Sequence, residues 1–357
     1  MTTFDNTPPE SPEITASPID GFSGIAGEAA PTKMSKKRKA KITALLIALV
    51  ILALLVVWYL MNRKPLSELP GLSSTTMPHY ELSIYGATKP LGVAVTPSGD
   101  RIYVTESDGA RLVRVYDRTG KPVGTLTPPL STGPAHLPIY VAINPTTQDV
   151  YVSDRLSASI YVYDAKGTFL RTFAPKGSLG GKWAPLALAF GPDGSLYVTD
   201  IKGPTTKTHR VLVFGPDGTL VHSMGTPGLS FPNGIVVDSH GNIEVSDSNN
   251  GRLVVFSLYG KMLSTISPGI GEGDLGMPRG AAVDDSGRLY VVDTSDQNVK
   301  VYNLGNSDSA VPTYVGLFGT EGQVDGTFEF PNGIATDTRA HIYVTDRENN
   351  RVQVWGY

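Results

Sequence analysis

Residues Phe330 to Gly356 read FPNGIATDTRAHIYVTDRENNRVQVWG, and this phrase is one of six copies in the chain. The most similar copies are FPNGIVVDSHGNIEVSDSNNGRLVVFS from Phe231 and MPRGAAVDDSGRLYVVDTSDQNVKVYN from Met277. All six copies carry a proline at their second position, and these prolines are Pro90, Pro138, Pro185, Pro232, Pro278 and Pro331. They are 48, 47, 47, 46 and 53 residues apart. A period of this length indicates a repeat architecture.

Each copy contains short apolar runs separated by turn signals such as SHG, DSG and PDG. Glycine in these turns supplies the backbone angles that tight hairpins require. Each copy is therefore predicted to be a four-stranded antiparallel blade, and a ring of six blades leaves no long open edge. The last copy ends at Tyr357 after its third strand, so we expect the strand at His79 to Gly86 to complete it. The predicted fold is an all-β, six-bladed β-propeller over residues 79–357.

The repeated phrase P-x-G-I-x-x-D, turn, I-Y-V-x-D, x-x-N-x-R, V-x-V-F resembles the NHL repeat. The resemblance extends from His79 to the end of the chain, with Tyr140 and Ala187 in place of the glycine in copies two and three. The YVTD phrases are also similar to YWTD repeats, but the tryptophan is absent. WD40 repeats fit less well because no Gly-His or Trp-Asp pair marks the blades. The NHL resemblance implies that the loops entering the inner strands lie on the upper rim of a central channel.

An apolar stretch precedes the repeats. Residues 42–61, ITALLIALVILALLVVWYLM, carry no charge and as a helix would be roughly 30 Å long, enough to cross a lipid bilayer. Six basic residues precede this stretch, most of them in 35–41, and only Arg63 and Lys64 follow it closely, so the positive-inside rule places the N-terminus in the cytoplasm. We expect an uncleaved, single-pass signal anchor in the cell membrane, with the propeller extracytoplasmic. The alternative is a cleaved signal peptide, whose apolar region is usually about 7 to 15 residues.

The segments on either side of the stretch have compositions of their own. Residues 1–34 are rich in proline, serine, threonine and acidic residues, which predicts a disordered cytoplasmic tail, and residues 62–78 are predicted to form a stalk.

The chain has no cysteine, which excludes disulfides and thiolate metal sites. Six of the 30 basic and five of the 33 acidic residues precede the stretch, so the exported part carries a net charge of -4. This charge argues against nucleic acid as a partner.

Acidic residues end the second apolar run of every copy. Three of them are followed five residues later by arginine, as in Asp247 with Arg252, so we expect acid–arginine pairs that clamp the loops; the alternative is a ring of carboxylates around a cation. The other two pairs are Glu106 with Arg111 and Asp346 with Arg351. Glu244 stands where the other copies have tyrosine, and we expect it to form an internal ion pair.

Residues that differ between copies are better candidates for a binding site. Immediately after the prolines, three successive copies place Asn233, Arg279 and Asn332, and such donors suit a carboxylate, a phosphate or sugar hydroxyls. Trp183 and Arg279 match no repeat position. The predicted ligand-binding residues are Arg279, Asn233, Asn332, Trp183, His136 and Tyr140. Phe231 and Phe330 are interpreted as core residues of the repeat.

We therefore expect a membrane-anchored binding module for an extracytoplasmic peptide, protein or glycan, with no catalytic residues and no cofactor. One alternative is a metal-dependent hydrolase or lyase with a divalent cation at the channel mouth, although Arg279 would repel a cation there. The other alternative is a scaffold for a complex of the cell envelope. The copies contain no G-x-S-x-G phrase and no closely spaced histidines, which argues against common hydrolase and metal motifs.

Overall fold

The structure is a computed structural model, and it describes residues 36–62, 77–129, 136–202, 209–304 and 311–357, with the side chains of 36–37 and 41–55 described in its first helix. The chain divides into two compact units at Trp58 and Tyr59. The predicted tail at 1–34 and nearly all of the predicted stalk lie outside the described residues.

Helix α1, Lys36–Asn62, includes the predicted membrane segment, and most of it belongs to the first unit. Within the described residues, however, no helix is both long and apolar enough to cross a membrane. The transmembrane span at 42–61 is therefore not confirmed.

The apolar runs of the second unit form 24 strands in the described residues, arranged as six four-stranded antiparallel sheets. Blade 1 comprises β2 Pro90–Val95, β3 Ile102–Glu106, β4 Val113–Tyr116 and β5 Pro122–Leu126. Blade 2 comprises β6 Pro138–Ile143, β7 Val150–Asp154, β8 Ser159–Tyr163 and β9 Phe169–Thr172. Blade 3 comprises β10 Pro185–Phe190, β11 Leu196–Asp200, β12 His209–Phe214 and β13 Leu220–Leu229.

The remaining three blades follow the same order, except at the end of the chain. Blade 4 comprises β14 Pro232–Val237, β15 Ile243–Asp247, β16 Arg252–Phe256 and β17 Met262–Ile266. Blade 5 comprises β18 Pro278–Val283, β19 Arg288–Asp293, β20 Asn298–Asn303 and β21 Thr313–Phe318. Blade 6 comprises β22 Pro331–Thr336, β23 Ile342–Asp346, β24 Arg351–Gly356 and the N-terminal strand β1 His79–Tyr85.

Strand β1 closes the ring. It pairs antiparallel with β24, and Ile84, which is buried, lies opposite Val352. The innermost strands of neighbouring blades contact one another all the way round, including β22 with β2. The prediction of six blades completed by the N-terminal strand is confirmed.

The core consists of six apolar clusters, one between each pair of adjacent blades. The inner strands approach so closely that a Cβ atom on Gly234 would lie 2.0 Å from the Arg279 carbonyl oxygen, and one on Gly333 would lie 2.4 Å from that of Leu91. Real Cβ atoms essentially never approach within 3.0 Å of another heavy atom. This close packing explains the glycine of the repeated phrase.

Each inner strand begins, and each second strand ends, on one face of the ring, because the prolines pair with the strand-end acids. We call this the upper face. The opposite, lower face carries the hairpin turn that follows the first strand of each blade and, in blades 1 to 4, the turn that follows the third strand. The candidate site lies on the upper face, at the axis.

Candidate binding site

The six strand-end acids are fully buried, and each holds the upper loop of its own blade. In every blade the carboxylate accepts a hydrogen bond from a backbone N–H one or two residues before the proline. The donors are Thr88 to Glu106, Leu137 to Asp154, Ala184 to Asp200, Ser230 to Asp247, Met277 to Asp293 and Glu329 to Asp346, at 2.6–2.9 Å. The acids therefore stabilise loops, as the clamp interpretation predicts.

Two of the three predicted acid–arginine pairs are present. Nε of Arg252 lies 2.7 Å from Asp247, and Nε of Arg351 lies 2.7 Å from Asp346. The prediction for Glu106 is wrong, because its partner is Arg114 on β4, at 3.2 Å. Arg111 is instead an exposed turn residue with a φ of 51°.

A cavity of about 420 Å³ opens on the upper face at the mouth of the channel. Blades 1, 2, 5 and 6 line it, and its walls combine apolar side chains with hydroxyl, amide and guanidinium groups. The lining residues are Leu91, Ser107, Leu137, Ile139, Arg155, Arg279, Thr294, Phe330, Asn332 and Arg347. We call it the arginine pocket, since three of these ten residues are arginines and none is acidic.

The three arginines differ in the contacts that their guanidinium groups make with other side chains. Arg347 donates to Glu348, which also accepts from Lys89. Arg155 lies over the ring of Phe231, with its guanidinium carbon 5.5 Å from the ring centre. Arg279 has the weakest protein contact, a 3.7 Å approach of Nη2 to the Met277 sulfur, and its Nε is buried with no hydrogen-bond partner among the described residues. The pocket thus presents donors that can bind an anion.

Tyr140 and Asn332 meet across the axis. The Tyr140 hydroxyl donates to the Asn332 side-chain oxygen at 3.0 Å, which joins blade 2 to blade 6. Tyr140 replaces the glycine of its copy, so its side chain occupies space near the axis that the other blades leave free, and it also lines a second cavity of about 60 Å³ between all six inner strands. Burial raises the pKa of the Tyr140 phenol, so it stays a neutral donor. We infer that this pair forms the floor of the arginine pocket.

The other predicted ligand-binding residues lie elsewhere. Asn233 is buried and donates to Ser248 at 3.1 Å. His136 lies 3.3 Å from Asp154 and packs edge-on against Tyr161. Trp183 packs against Phe214 in the cluster between blades 2 and 3. Of the six predicted residues, the structure therefore brings Arg279, Asn332 and Tyr140 together at the channel mouth.

Arg155 and Arg347 line the pocket but were not predicted from the sequence. Both directly follow a strand-end acid, at a position that also varies between the copies: Ser107, Arg155, Ile201, Ser248, Thr294 and Arg347. Comparing the copies at this second position would have found them. Phe330 also differs from its interpretation as a core residue, because it is 51% exposed and lines the pocket with a φ of 53°.

Glu244 is fully buried on β15, away from the pocket, and is paired in register with Val236 and Val255 of the cluster between blades 4 and 5. Neither carboxyl oxygen has a hydrogen-bond partner among the described residues, so the predicted ion pair is absent there. Burial, followed by the nearby Asp238 carboxylate, raises the pKa of Glu244 well above its usual range. Glu244 is therefore held as a neutral acid. No group of three or more histidine or acidic side chains that could hold a metal is found in the described part of the chain.

Three segments match the family model of the NHL repeat, residues 229–256, 275–302 and 328–355. The chain contains NHL repeats. They correspond to blades 4, 5 and 6, where the repeated phrase is most regular.

Two known proteins resemble parts of the chain. Protein brain tumor of Drosophila melanogaster is 26% identical over 128 residues, which is 35% of this chain and 12% of that protein. A solved structure of streptogramin B lyase superposes with a TM-score of 0.57 and 14% identity, covering 79% of this chain and 99% of the other. At this identity the second similarity shows a shared fold alone. The chain is thus similar in sequence to a small part of Protein brain tumor, and its propeller has the fold of nearly the whole lyase chain.

Proposed function

We propose that the NHL propeller is an interaction module that binds a protein or peptide partner through the arginine pocket. The observation that carries this proposal is a concave site with three guanidiniums, an amide and two hydroxyls, and with no acid among its lining residues. Binding sites of this kind combine apolar walls with a few polar groups that fix orientation. Arginine is also enriched where proteins recognise one another.

Site-specific photocrosslinking tests this function. Phe330 at the pocket and Tyr259 on a lower-face turn are both exposed aromatic residues, so each can be replaced by the photoreactive benzoylphenylalanine with little change in shape. We expect crosslinks to a partner from position 330 in the full-length chain, and expect Arg155→Gln with Arg279→Gln to remove them. Equal crosslinking from positions 330 and 259, or crosslinks unaffected by the double substitution, would exclude the pocket as the site.

We also propose that residues 42–61 anchor the chain in a membrane and that the propeller is extracytoplasmic. The support is the uncharged stretch and the basic residues before it. The absence of cysteine allows a direct test. Tyr259→Cys is expected to react with a membrane-impermeant maleimide on intact cells, whereas Ser17→Cys should react only after lysis. The reverse pattern, or protection of both positions, contradicts this location.

A further inference from the structure

We propose that the arginine pocket captures the C-terminal end of a partner chain whose last residue is aspartate or glutamate. This inference rests on the proposed function and adds the chemistry of the ligand. Its first support is charge, because a terminal acidic residue carries two carboxylates close together. Arg347 already donates to Glu348, so Arg155 and Arg279 are the two guanidiniums that match a pair of carboxylates better than a single anionic group.

The shape of the pocket supports a chain end. Tyr140 and Asn332 join at 3.0 Å beneath the pocket, so a ligand enters and leaves by the upper face. An extended segment that passes through would need a second exit. A chain terminus needs one opening, and its carboxylates would lie deepest, near the buried and unpartnered Nε of Arg279.

The apolar part of the lining favours amino-acid residues over a bare ion. Leu91, Leu137 and Ile139 line the same pocket as the arginines, and they suit the methylene groups of a terminal acidic residue. Phe330 is exposed in the lining, and outside the pocket the upper loops expose Met277, Ile270 and Val324. These side chains offer contacts for apolar residues that precede the terminus.

A labelled peptide tests the inference on the full-length chain. The probe is fluorescein-Gly-Leu-Ser-Leu-Ser-Glu with a free terminal carboxyl group, measured by fluorescence anisotropy. We expect saturable binding, with affinity reduced at least about tenfold when the terminus is amidated or when the last glutamate is changed to glutamine. Arg279→Gln should weaken binding to a similar degree. Arg118→Gln, which removes an exposed arginine from the lower face, should leave it unchanged.

The outcomes separate this inference from the proposed function. No saturable binding of the free peptide up to about 1 mM overturns the inference. Equal binding of the free and amidated peptides overturns it too, but leaves the pocket as the site if Arg279→Gln still weakens both. Displacement of the peptide by single-stranded RNA or by inorganic phosphate, at concentrations below those of the peptide itself, also overturns it and assigns the pocket to phosphate. If Arg279→Gln and Arg155→Gln both leave peptide binding unchanged and position 330 gives no specific crosslinks, the proposed function fails as well.

Discussion

At the scale of single residues, Arg279 and Asn233 show why neighbouring repeat positions acquire different roles. Both directly follow the proline of an NHL repeat, yet the Asn233 side chain already donates a hydrogen bond to Ser248 inside the ring. Arg279 is longer and lines the pocket, where its Nε has no partner among the described residues. Its side chain therefore contributes little to folding and is available for the binding role proposed above.

Replacing Arg279 with alanine is expected to abolish measurable binding of the acidic-ended peptide while changing the melting temperature by less than about 2 °C. The physical reason is that the substitution removes an anion-binding group that stabilises little in the free protein. Isothermal titration and differential scanning calorimetry on the same sample measure both quantities. A folded variant that binds normally would remove Arg279 from the site.

Glu244 is a titratable side chain that is fully buried, and its carboxyl oxygens have no hydrogen-bond partner among the described residues. In blades 5 and 6 the tyrosine at this position donates to an aspartate in the preceding turn, at 2.7 Å for Tyr290 to Asp284 and 3.1 Å for Tyr343 to Asp337. In blade 4 the equivalent aspartate, Asp238, lies near a second carboxyl group instead. The folded state therefore retains a proton on Glu244 that the unfolded state releases above about pH 4.5.

Glu244→Tyr is expected to stabilise the propeller near neutral pH. Because the folded-state pKa of Glu244 is raised, its contribution is present below the unfolded pKa and is lost as pH rises towards the folded pKa. The free energy of unfolding of the wild type should therefore fall relative to the variant between about pH 5 and pH 8. Urea titrations across this range measure the difference. Glu244→Gln is the control, because it removes the titratable group and keeps the size of the side chain. A difference that does not vary with pH would show that Glu244 is ionised in both states.

At the scale of the strand, the glycine of the repeated phrase decides how closely blades pack. Gly333 on β22 faces the backbone of β2, and Gly234 on β14 faces that of β18. Copies two and three lack this glycine, and one of the replacements is Tyr140, whose hydroxyl donates to Asn332 across the axis. A departure from the repeat has thus become part of the candidate site.

Gly333→Ala is expected to destabilise the ring by about 2 kcal/mol or more, since the new Cβ would lie 2.4 Å from a carbonyl oxygen that cannot move alone. Gly124→Ala on the outer strand β5 is the matched control, because no atom lies within 4 Å of its added Cβ. Chemical denaturation compares the two variants. Equal stability of both would mean that the strands can separate at no cost.

The sequence predicts the strands well because glycine, proline and alternating apolar residues mark each of them. It predicts two of the residues that line the pocket, Arg279 and Asn332, from the position after the proline, and it predicts Tyr140 below them from the missing glycine of its copy. It misses Arg155 and Arg347 because their position becomes informative only when the second strand of each blade is known to end beside the first. It also predicts Trp183 as a ligand-binding residue, whereas the side chain packs against Phe173 and Phe214 between blades 2 and 3, a contact that depends on how the two blades stack.

At the scale of the whole molecule, closure between blades 6 and 1 joins the two ends of the propeller. Besides the pairing of β1 with β24, the Thr345 hydroxyl donates to the Leu91 carbonyl at 2.9 Å, and the Lys89 backbone N–H donates to Asn350 at 2.9 Å. Without β1, strand β24 would become an exposed edge with unpaired backbone groups.

A chain that begins at residue 87 is therefore expected to aggregate or to melt well below one that begins at residue 77, which keeps β1. The reason is the loss of a full strand pairing together with the buried side chain of Ile84. Light scattering after size-exclusion chromatography and thermal melts compare the two chains. Two monomers with the same melting temperature would show that the ring holds without its outer strand.

The order in which the closing strands are synthesised limits when the ring can form. Strand β1 leaves the ribosome before any blade, and its partner β24 follows the strands of all the other blades. A nascent chain can build five blades one after another, but it cannot cover its two open sides until β24 has been made. Any product truncated before β24 would display an unpaired strand, a feature that chaperones and proteases can recognise. The strand pairing that closes the finished ring thus also gives the cell a means of distinguishing complete from truncated chains.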